Sequence, residues 1–222
     1  MDLRVISIFQ DLSDRELASV ESLCSIGTFA KQEEIYGERE TTTDVFFILV
    51  GAIRVRSVSG SGREVIFSDV TAGGIFGEFS AIDGLPRSAT IVALTDCKLA
   101  RMRASAFFEL LRQNNGVCVR VVELLVGKIR AMSERVFETS ALVVRERLRR
   151  ELFRLATTTG KKEGRIITIS PAPTHYEIAA RIGSHREAVT REFNLLELEN
   201  VVEIGRRSIR ILDMQRLKAF EP

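Results

Sequence analysis

The sequence predicts an α+β fold: an N-terminal β-roll, a long central helix and a C-terminal unit of short helices with a β-hairpin. Three features predict it. Short Val-, Ile- and Phe-rich segments separated by glycines occupy roughly the first hundred residues, helical periodicity follows for roughly fifty, and two short helical patterns divided by a glycine lie near the C-terminus. A length of 222 residues suits two compact domains.

The N-terminal part opens with a short helix predicted over residues 14–23 and then becomes β-like. The glycines Gly60 and Gly62 predict a hairpin between two strands. Alternating apolar residues at Ala89, Ile91 and Ala93 predict one further strand over residues 88–102. About eight short strands at this spacing favour a β-roll or barrel over a parallel sheet. The clearest strand segments are Val45–Val50, Ala52–Val58 and 64–70.

Helical periodicity dominates from residue 104 onward. Gaps of four, three, four, three and four residues form a heptad pattern of apolar side chains at Cys118, Val122, Leu125, Ile129, Met132 and Val136. This pattern fits equally a helix packed inside its own domain and a helix that pairs with a second copy of the chain. It weakens at Thr139 and Ser140, where we expect a hinge. A second, basic helix is expected over residues 144–156, and residues 157–164, which lack apolar side chains, predict an exposed loop.

The C-terminal region has the outline of a winged helix-turn-helix. Thr174 and Glu177 have capping-box spacing, so a helix should begin there and end at Gly183. A second helix is expected from near Ser184 to about residue 198, followed by a hairpin that turns at residues 205–207. Residues 139–222 carry 16 basic and 11 acidic side chains, whereas residues 1–138 carry 16 and 19. The basic excess favours a partner with a phosphate backbone, although such an excess is also common on solvated surfaces.

The composition argues against several other classes of protein. No run of about eighteen apolar residues occurs and charges interrupt the first turns, so we expect neither a membrane span nor a signal peptide. Cys24, Cys97 and Cys118 match no zinc or disulfide spacing, which favours reduced, buried thiols in a cytoplasmic protein. Since no nucleophile–histidine pair, metal-ligand spacing or nucleotide triphosphate loop is present, we expect neither enzyme activity nor a metal.

Residues 76–90, FGEFSAIDGLPRSAT, combine groups that together suit a ribose phosphate. Gly77 lets backbone N–H groups approach an anion, and the helical turn after it directs its N-terminus at a phosphate. Glu78 only accepts hydrogen bonds and suits a ribose hydroxyl, while Arg87 offers a fixed charged fork and Ser88 a hydroxyl. The alternative is a surface turn in which Glu78 and Arg87 pair only with each other. The length of the matching segment favours the binding site.

The same segment resembles the phosphate-binding cassette of cyclic-nucleotide-binding domains, F-G-E-[LF]-[AS]-x-x-x-G-x-P-R-[SA]-A. The resemblance implies that Val55 and Val70 pack near the base or the sugar. It also implies that the cyclic phosphate and ribose are lined by Gly77, Glu78, Phe79, Arg87, Ser88 and Ala89.

Over nearly its whole length the chain resembles the cyclic AMP receptor protein (Crp/Fnr) family of bacterial transcription regulators. The cassette, the central helix ending IRAMSERVFE and the segment GSHREAVTREFNLLE each carry the resemblance. It implies a sensor domain over residues 1–114, a central dimerisation helix and hinge over 115–139, and a DNA-binding domain over 140–222. The implied partners are a cyclic nucleotide, double-stranded DNA, a second copy of the chain and RNA polymerase, with no membrane.

In this family a polar pair on the central helix meets the nucleotide base, and the matching positions here are Met132 and Ser133. Met132 departs from the pattern, because a thioether is only a weak acceptor and suits packing instead. Cyclic AMP is the expected ligand. Cyclic GMP is one alternative, since Ser88 can form a hydrogen bond with a guanine amino group. A second alternative is a vestigial pocket in a protein that binds DNA constitutively. The iron–sulfur and haem branches are not matched, because the sensor region lacks a cysteine cluster and the two histidines, His175 and His185, lie in the DNA-binding region.

Four polar residues share one sector at the start of the second helix of the helix-turn-helix: Arg186, Glu187, Thr190 and Arg191. Such residues reach base edges in the major groove, where an arginine matches guanine and a glutamate accepts from cytosine. The alternatives are a capping box between Ser184 and Glu187, and arginines that contact phosphates alone. The resemblance favours base reading of a TGTGA-like half-site in an inverted repeat. It assigns phosphate contacts to Thr174, Arg206 and Arg207.

Overall fold

The computed structural model describes residues 2–218 and confirms the α+β fold. By its internal contacts the chain divides into two compact units, Met1–Arg130 and Ala131–Pro222. Across the described part of the chain, no helix is both long and apolar enough to cross a membrane.

The first unit is a β-roll with a few helices. Its strands are β1 Cys24–Phe29, β2 Glu34–Tyr36, β3 Val45–Val50, β4 Ala52–Val58, β5 Glu64–Thr71, β6 Ile75–Phe76, β7 Thr90–Ala93 and β8 Cys97–Met102. They form two four-stranded antiparallel sheets, with the orders β1-β8-β3-β6 and β2-β7-β4-β5. The helices are α1 Asp14–Ser22, α2 Glu78–Asp83 and α3 Ala104–Gln113, preceded by single 3-10 turns at Leu3–Val5 and Ser7–Phe9.

Strand β3 is covered on both faces, which explains its unbroken apolar sequence VFFILV. Val45 and Phe47 are fully buried in a cluster with the N-terminal helices and α3. Phe46 and Ile48 point to the opposite face and pack in a cluster with residues of β4 and β7, which belong to the other sheet. The roll therefore has one core between its sheets and another beneath its helices.

The prediction of one strand over residues 88–102 is wrong, because this segment forms β7 and β8 in different sheets. The turn between them contains neither glycine nor proline. Polar side chains fix it instead: Thr95 Oγ1 accepts from the N–H of Ala52 at 3.0 Å, and Asp96 Oδ1 accepts from that of Lys31 at 2.9 Å. Because these hydrogen-bond partners are distant in sequence, the residues around the turn contain no local pattern that predicts it.

The central helix α4, Asn115–Ala141, is continuous over 27 residues and runs through Thr139 and Ser140. Leu125 packs at the edge of the first unit's core. Cys118 is half-buried, and the other four members of the stripe are exposed: Val122 by 53%, Ile129 by 64%, Met132 by 59% and Val136 by 63%. A stripe of this kind on a long helix is a surface suited to a partner helix.

The second unit is a helical domain with one four-stranded antiparallel sheet. Its helices are α5 Val144–Thr158, α6 His175–Ile182, α7 Arg186–Leu198 and α8 Met214–Lys218, and its strands are β9 Lys161–Glu163, β10 Ile166–Ile169, β11 Val202–Gly205 and β12 Ser208–Ile211. The sheet order is β11-β12-β10-β9. Its core joins α5, α6 and α7 through Leu152, Ile178 and Phe193, all fully buried.

The exposed loop predicted over residues 157–164 is only partly correct. Helix α5 continues to Thr158, and β9 forms an edge strand paired with β10. All three side chains of β9 are exposed, so the strand is held by backbone hydrogen bonds and lacks apolar alternation. That is why the pattern did not predict it.

Buried charges fasten the end of α4 to α5 and α6. Glu138, 4% exposed, accepts both ends of the Arg154 guanidinium at 2.5 and 2.9 Å. Glu151, 1% exposed, pairs with Arg154, Arg135 and Arg181. Arg135 Nη1 also donates to the carbonyl oxygen of Arg181 at 2.5 Å. Because breaking one partner of a buried pair leaves an uncompensated charge, this network fixes the C-terminal part of α4 within the second unit.

Candidate functional site

Residues 76–90 form a tight cradle between β6 and β7. Gly77 precedes α2 with φ +83°, and Gly84 ends α2 with φ +72°. A Cβ on Gly77 would lie 2.7 Å from the carbonyl oxygen of Asp44 and 2.8 Å from Nη1 of Arg87, whereas a Cβ on Gly84 meets nothing within 4 Å. Glycine at position 77 is thus required by a close approach as well as by its backbone conformation.

Arg87 is buried at the base of this cradle, with 2% of its surface exposed. Its Nε donates to Thr42 Oγ1 at 3.0 Å, Nη1 to the carbonyl oxygen of Gly77 at 3.1 Å and Nη2 to that of Asp44 at 2.9 Å. Burial lowers the pKa of Arg87, and the neighbouring Tyr36 and Asp44 oppose that shift. The arginine is therefore a rigidly held charge.

Tyr36 supports this guanidinium from below. Its ring centroid lies 4.1 Å from the central carbon of Arg87, which is cation–π distance. Phe46 and Phe76 stack on each other at 5.0 Å and flank Tyr36 at 5.9 Å. Burial is the main reason why the pKa of Tyr36 is raised. Sequence reasoning missed Tyr36, and no local pattern connects it with residue 87.

Glu78 is also buried, with 2% of its surface exposed. Its Oε1 accepts from Nζ of Lys128 on α4 at 2.6 Å, so the predicted alternative in which Glu78 pairs with Arg87 is wrong. The same Nζ lies 5.4 Å from the ring centroid of Phe79. Lys128 was not among the predicted site residues. Its position could have indicated a role, because Lys128 lies one helical turn before Met132, a predicted base contact on the same helix.

The other predicted ligand residues lie in three places. Ser88, the residue after Arg87, is exposed, and the next residue, Ala89, is buried. Val55 and Val70 are half-buried on adjacent strands and pack against the core between the sheets. Met132 and Ser133 are exposed on the part of α4 that belongs to the second unit.

A cavity of about 310 Å³ opens elsewhere on the β-roll, and no cassette residue lines it. Its walls are Ser25, Ile26, Gly27, Phe29, Ile35, Phe46, Leu99 and Arg101. The guanidinium of Arg101 is paired with the carboxylate of Asp44. The charge in its wall is therefore already compensated, and the rest of the lining is mainly apolar.

In the second unit, local chemistry places the helix-turn-helix. Thr174 and Glu177 form the predicted capping box, with Thr174 Oγ1 accepting from the N–H of Glu177 at 3.2 Å and Glu177 Oε2 accepting from that of Thr174 at 2.8 Å. Gly183 ends α6 in the left-handed conformation, φ +63°. The second helix starts close to the predicted position near Ser184: His185 is the N-cap and α7 begins at Arg186. The alternative capping box between Ser184 and Glu187 does not form, because Ser184 lies outside the cap position.

Helix α7 buries one face and leaves the other open. Val189, Phe193 and Leu196 are fully buried against the unit's core. The predicted base-reading residues Arg186, Glu187 and Arg191 are exposed, whereas Thr190 is half-buried and its hydroxyl is engaged within the protein.

The predicted wing is present as the hairpin β11–β12. Gly205 pairs with Ser208, so Arg206 and Arg207 form a two-residue turn at its tip, and both are exposed. The carbonyl oxygen of Arg207 accepts from the N–H of Ala172 at 2.9 Å, which connects the tip to the segment before α6. Exposed arginines at a hairpin tip beside a helix-turn-helix have the chemistry for phosphate contacts.

Comparison with known proteins finds one domain match in each of the two units. A cyclic nucleotide-binding domain model matches residues 26–114, and a Crp-like helix-turn-helix domain model matches residues 146–220. The CRP-like cAMP-activated global transcriptional regulator of Mycobacterium tuberculosis is 21% identical, over 95% of this chain and 94% of its own length. The cAMP-activated global transcriptional regulator CRP of Salmonella typhimurium is 26% identical, over 85% of this chain and 90% of its own length. The solved structure of a CooA mutant from Carboxydothermus hydrogenoformans has a TM-score of 0.83 and 20% identity, covering 99% of this chain and 96% of that one.

The fold and the two sites define a class of protein: a DNA-binding transcription regulator with a cyclic-nucleotide-binding domain. Its effector class is a nucleotide and its target is DNA. The chain belongs to the Crp/Fnr family.

Proposed function

We propose that this regulator is a homodimer in which cyclic AMP controls binding to an inverted-repeat operator with TGTGA-like half-sites. The observation that carries the proposal is the cradle at Gly77, where the buried guanidinium of Arg87 is fixed beside a left-handed glycine and a buried carboxylate follows at Glu78. A fixed cation and an acceptor side by side are what a cyclic phosphate and a ribose hydroxyl require.

In the proposed complex the cyclic phosphate lies at Arg87 and at the exposed hydroxyl of Ser88, and the ribose hydroxyl donates to Glu78. Lys128 occupies Oε1 of that carboxylate, which leaves Oε2 for the ribose. Gly77, Phe79 and Ala89 complete the cassette, with Val55 and Val70 toward the base or sugar. The proposed base contacts are Met132 and Ser133.

Cyclic GMP is the alternative ligand, because Met132 is a poor hydrogen-bond partner for adenine and Ser88 can meet a guanine amino group. A second alternative is a pocket that no longer binds nucleotide. The observation in its favour is that all three nitrogens of Arg87 already donate to protein oxygens. Those bonds use three of the five guanidinium hydrogens, so at most one hydrogen on each of Nη1 and Nη2 is left for a phosphate.

The apolar stripe on α4 supports the proposed homodimer. Val122, Ile129, Met132 and Val136 are more than half exposed along a single helix face, and a second copy of α4 would cover them with matching residues. We assign residues 1–114 to the sensor domain, 115–139 to the dimerisation helix and hinge, and 140–222 to the DNA-binding domain. An inverted-repeat operator follows from two-fold symmetry of the dimer.

The DNA-binding surface is assigned by exposure and position. Arg186, Glu187 and Arg191 at the start of α7 would read bases, and Thr190 lies among them. Phosphates would be contacted by Thr174, Arg206 and Arg207. RNA polymerase is the partner that this mode of action implies at a promoter.

Calorimetric titration with cyclic AMP and with cyclic GMP tests the ligand, and fluorescence anisotropy on the inverted repeat and on a scrambled duplex tests the readout. We expect cyclic AMP to bind and to increase the preference for the inverted repeat. Tighter binding of cyclic GMP selects the first alternative. If no heat of nucleotide binding is measured and the DNA affinity is the same with and without nucleotide, the pocket no longer binds nucleotide. Equal binding of both duplexes refutes the proposed TGTGA-like half-site.

A further inference from the structure

His175 connects the two helices of the helix-turn-helix through a side-chain contact. It is the first residue of α6, and its ring stacks on Phe193 of α7 with centroids 4.7 Å apart and planes 13° apart. Its Nδ1 lies 2.9 Å from Oγ1 of Thr190, also on α7. The same Oγ1 donates to the carbonyl oxygen of Arg186 at 2.9 Å.

Counting hydrogens fixes the direction of the first contact. A threonine hydroxyl has a single hydrogen, and a carbonyl oxygen can only accept, so the hydrogen of Thr190 goes to Arg186. Nδ1 of His175 must then be the donor to Thr190. The neutral ring is therefore the tautomer with its hydrogen on Nδ1.

This arrangement limits what Thr190 can offer to DNA. Its hydroxyl hydrogen is used, and one lone pair is filled by His175, so one acceptor position and the γ-methyl group remain. In the major groove the methyl group suits the thymine C5-methyl, and the acceptor suits the amino group of adenine or cytosine. Guanine, which presents only acceptors there, gains no hydrogen bond from Thr190.

We propose that His175 is a positioning residue for base reading: it holds Thr190 so that α7 presents a methyl group and an acceptor, never a donor, to one base pair of each half-site. The proposal rests on the proposed function of α7 as a reading helix. It makes His175 a determinant of sequence specificity although its own ring faces Phe193. The groups around the ring that carry charge are Arg186 and Glu197, both on α7.

Three variants separate the donor from the packing. His175→Phe keeps a ring to stack on Phe193 but removes the donor. His175→Asn keeps an N–H close to the Nδ1 position but removes the ring. Thr190→Val keeps the shape of the threonine and removes its hydroxyl. Each full-length variant selects duplexes from a randomised library, with cyclic AMP, with cyclic GMP and without nucleotide, and the bound pool is sequenced.

We expect His175→Phe to weaken the preference at one base pair of each half-site two- to tenfold, about the worth of one neutral hydrogen bond. His175→Asn should restore it. In the double variant with Thr190→Val, His175→Phe should have no further effect, because the hydroxyl that it positions is gone. A wild-type profile for His175→Phe, or a guanine preference that Thr190→Val abolishes, overturns the proposal.

A second measurement does not depend on DNA. ¹⁵N NMR of histidine-labelled protein at alkaline pH should show His175 protonated on Nδ1, and the Nε2 tautomer refutes the hydrogen-bond assignment. The library selection distinguishes failure of the proposed function from failure of this inference. A wild-type chain that enriches no sequence refutes the proposed function and this inference with it, whereas enrichment by the wild type with the wrong variant profile refutes only the role of His175.

Discussion

Replacing Gly77 with alanine tests the cradle, and Gly84→Ala supplies a matched control in the same short helix. Both glycines have left-handed backbones, so each alanine should cost roughly 1–2 kcal/mol of conformational strain. Only the Cβ at position 77 meets atoms, at 2.7 Å from Asp44 and 2.8 Å from Arg87. Displacing that guanidinium removes a charged hydrogen bond worth about 1.5–3 kcal/mol. We expect a total loss of about 2.5–5 kcal/mol for Gly77→Ala and of about 1–2 kcal/mol for Gly84→Ala.

The unfolding free energy of the β-roll can be measured separately, because the chain has two tyrosines and no tryptophan. Tyr36 lies in the first unit and Tyr176 in the second. In a Tyr176→Phe background, tyrosine fluorescence during urea unfolding reports on the β-roll alone. Calorimetry with cyclic AMP, at a temperature where both variants are folded, then compares nucleotide affinity.

We expect Gly77→Ala to lose at least about tenfold in nucleotide affinity, equal to about 1.4 kcal/mol, while Gly84→Ala keeps the wild-type value. Equal destabilisation by the two alanines would show that the close approach to Asp44 and Arg87 has no energetic consequence. Unchanged nucleotide affinity in Gly77→Ala would remove the cassette from the binding site.

Four further predictions follow from the same structure. Ile129→Glu places a charge on the open stripe of α4 and should give monomers by sedimentation; a dimer would place the interface elsewhere. Arg191→Ala should lose about 1–3 kcal/mol of preference for the inverted repeat, whereas Arg206→Ala should weaken all duplexes alike, in anisotropy titrations at two salt concentrations. Burial is the main cause that lowers the pKa of His175, and the nearby Arg186 is the second. The unfolded chain therefore binds more protons near pH 6.5, so acidification from about pH 7.5 to about 5.5 should reduce the unfolding free energy. His175→Asn should flatten this pH dependence. Glu78→Gln removes the partner charge of Lys128 and should lower the ratio of DNA affinities with and without cyclic AMP, and an unaltered ratio would exclude the pair from the coupling.

Features set by neighbouring residues could be predicted from the sequence. The capping box of Thr174 and Glu177, the stop at Gly183 and the wing turn at Arg206 all depend on chemistry within a few residues. The cassette belongs to the same group, since its glycine, carboxylate and arginine lie within one short segment. Such signals are local, and the structure contains each of these elements at the expected place.

Features that depend on distant partners were not predicted, because no local pattern connects the two residues of such a contact. Lys128 meets Glu78 across fifty residues, and Tyr36 meets Arg87 across a similar distance. Thr190 illustrates a different limit. Helical geometry places it correctly on the α7 sector, but only the fold shows that its hydroxyl is already engaged with His175.

The Glu78–Lys128 pair gives a physical reason why α4 would respond to a ligand in the cassette. A ligand shifts a conformational equilibrium only through contacts that differ between the states, so a binding site without contacts to α4 would not affect that helix. Here the carboxylate is buried and its counter-charge comes from α4, at 2.6 Å. Under the proposed function, a ribose hydroxyl that donates to Glu78 would stabilise the carboxylate and weaken its dependence on Lys128. The neighbouring residue on α4, Ile129, belongs to the open apolar stripe, so under the proposed function the nucleotide acts on the same turn of helix that meets the second copy.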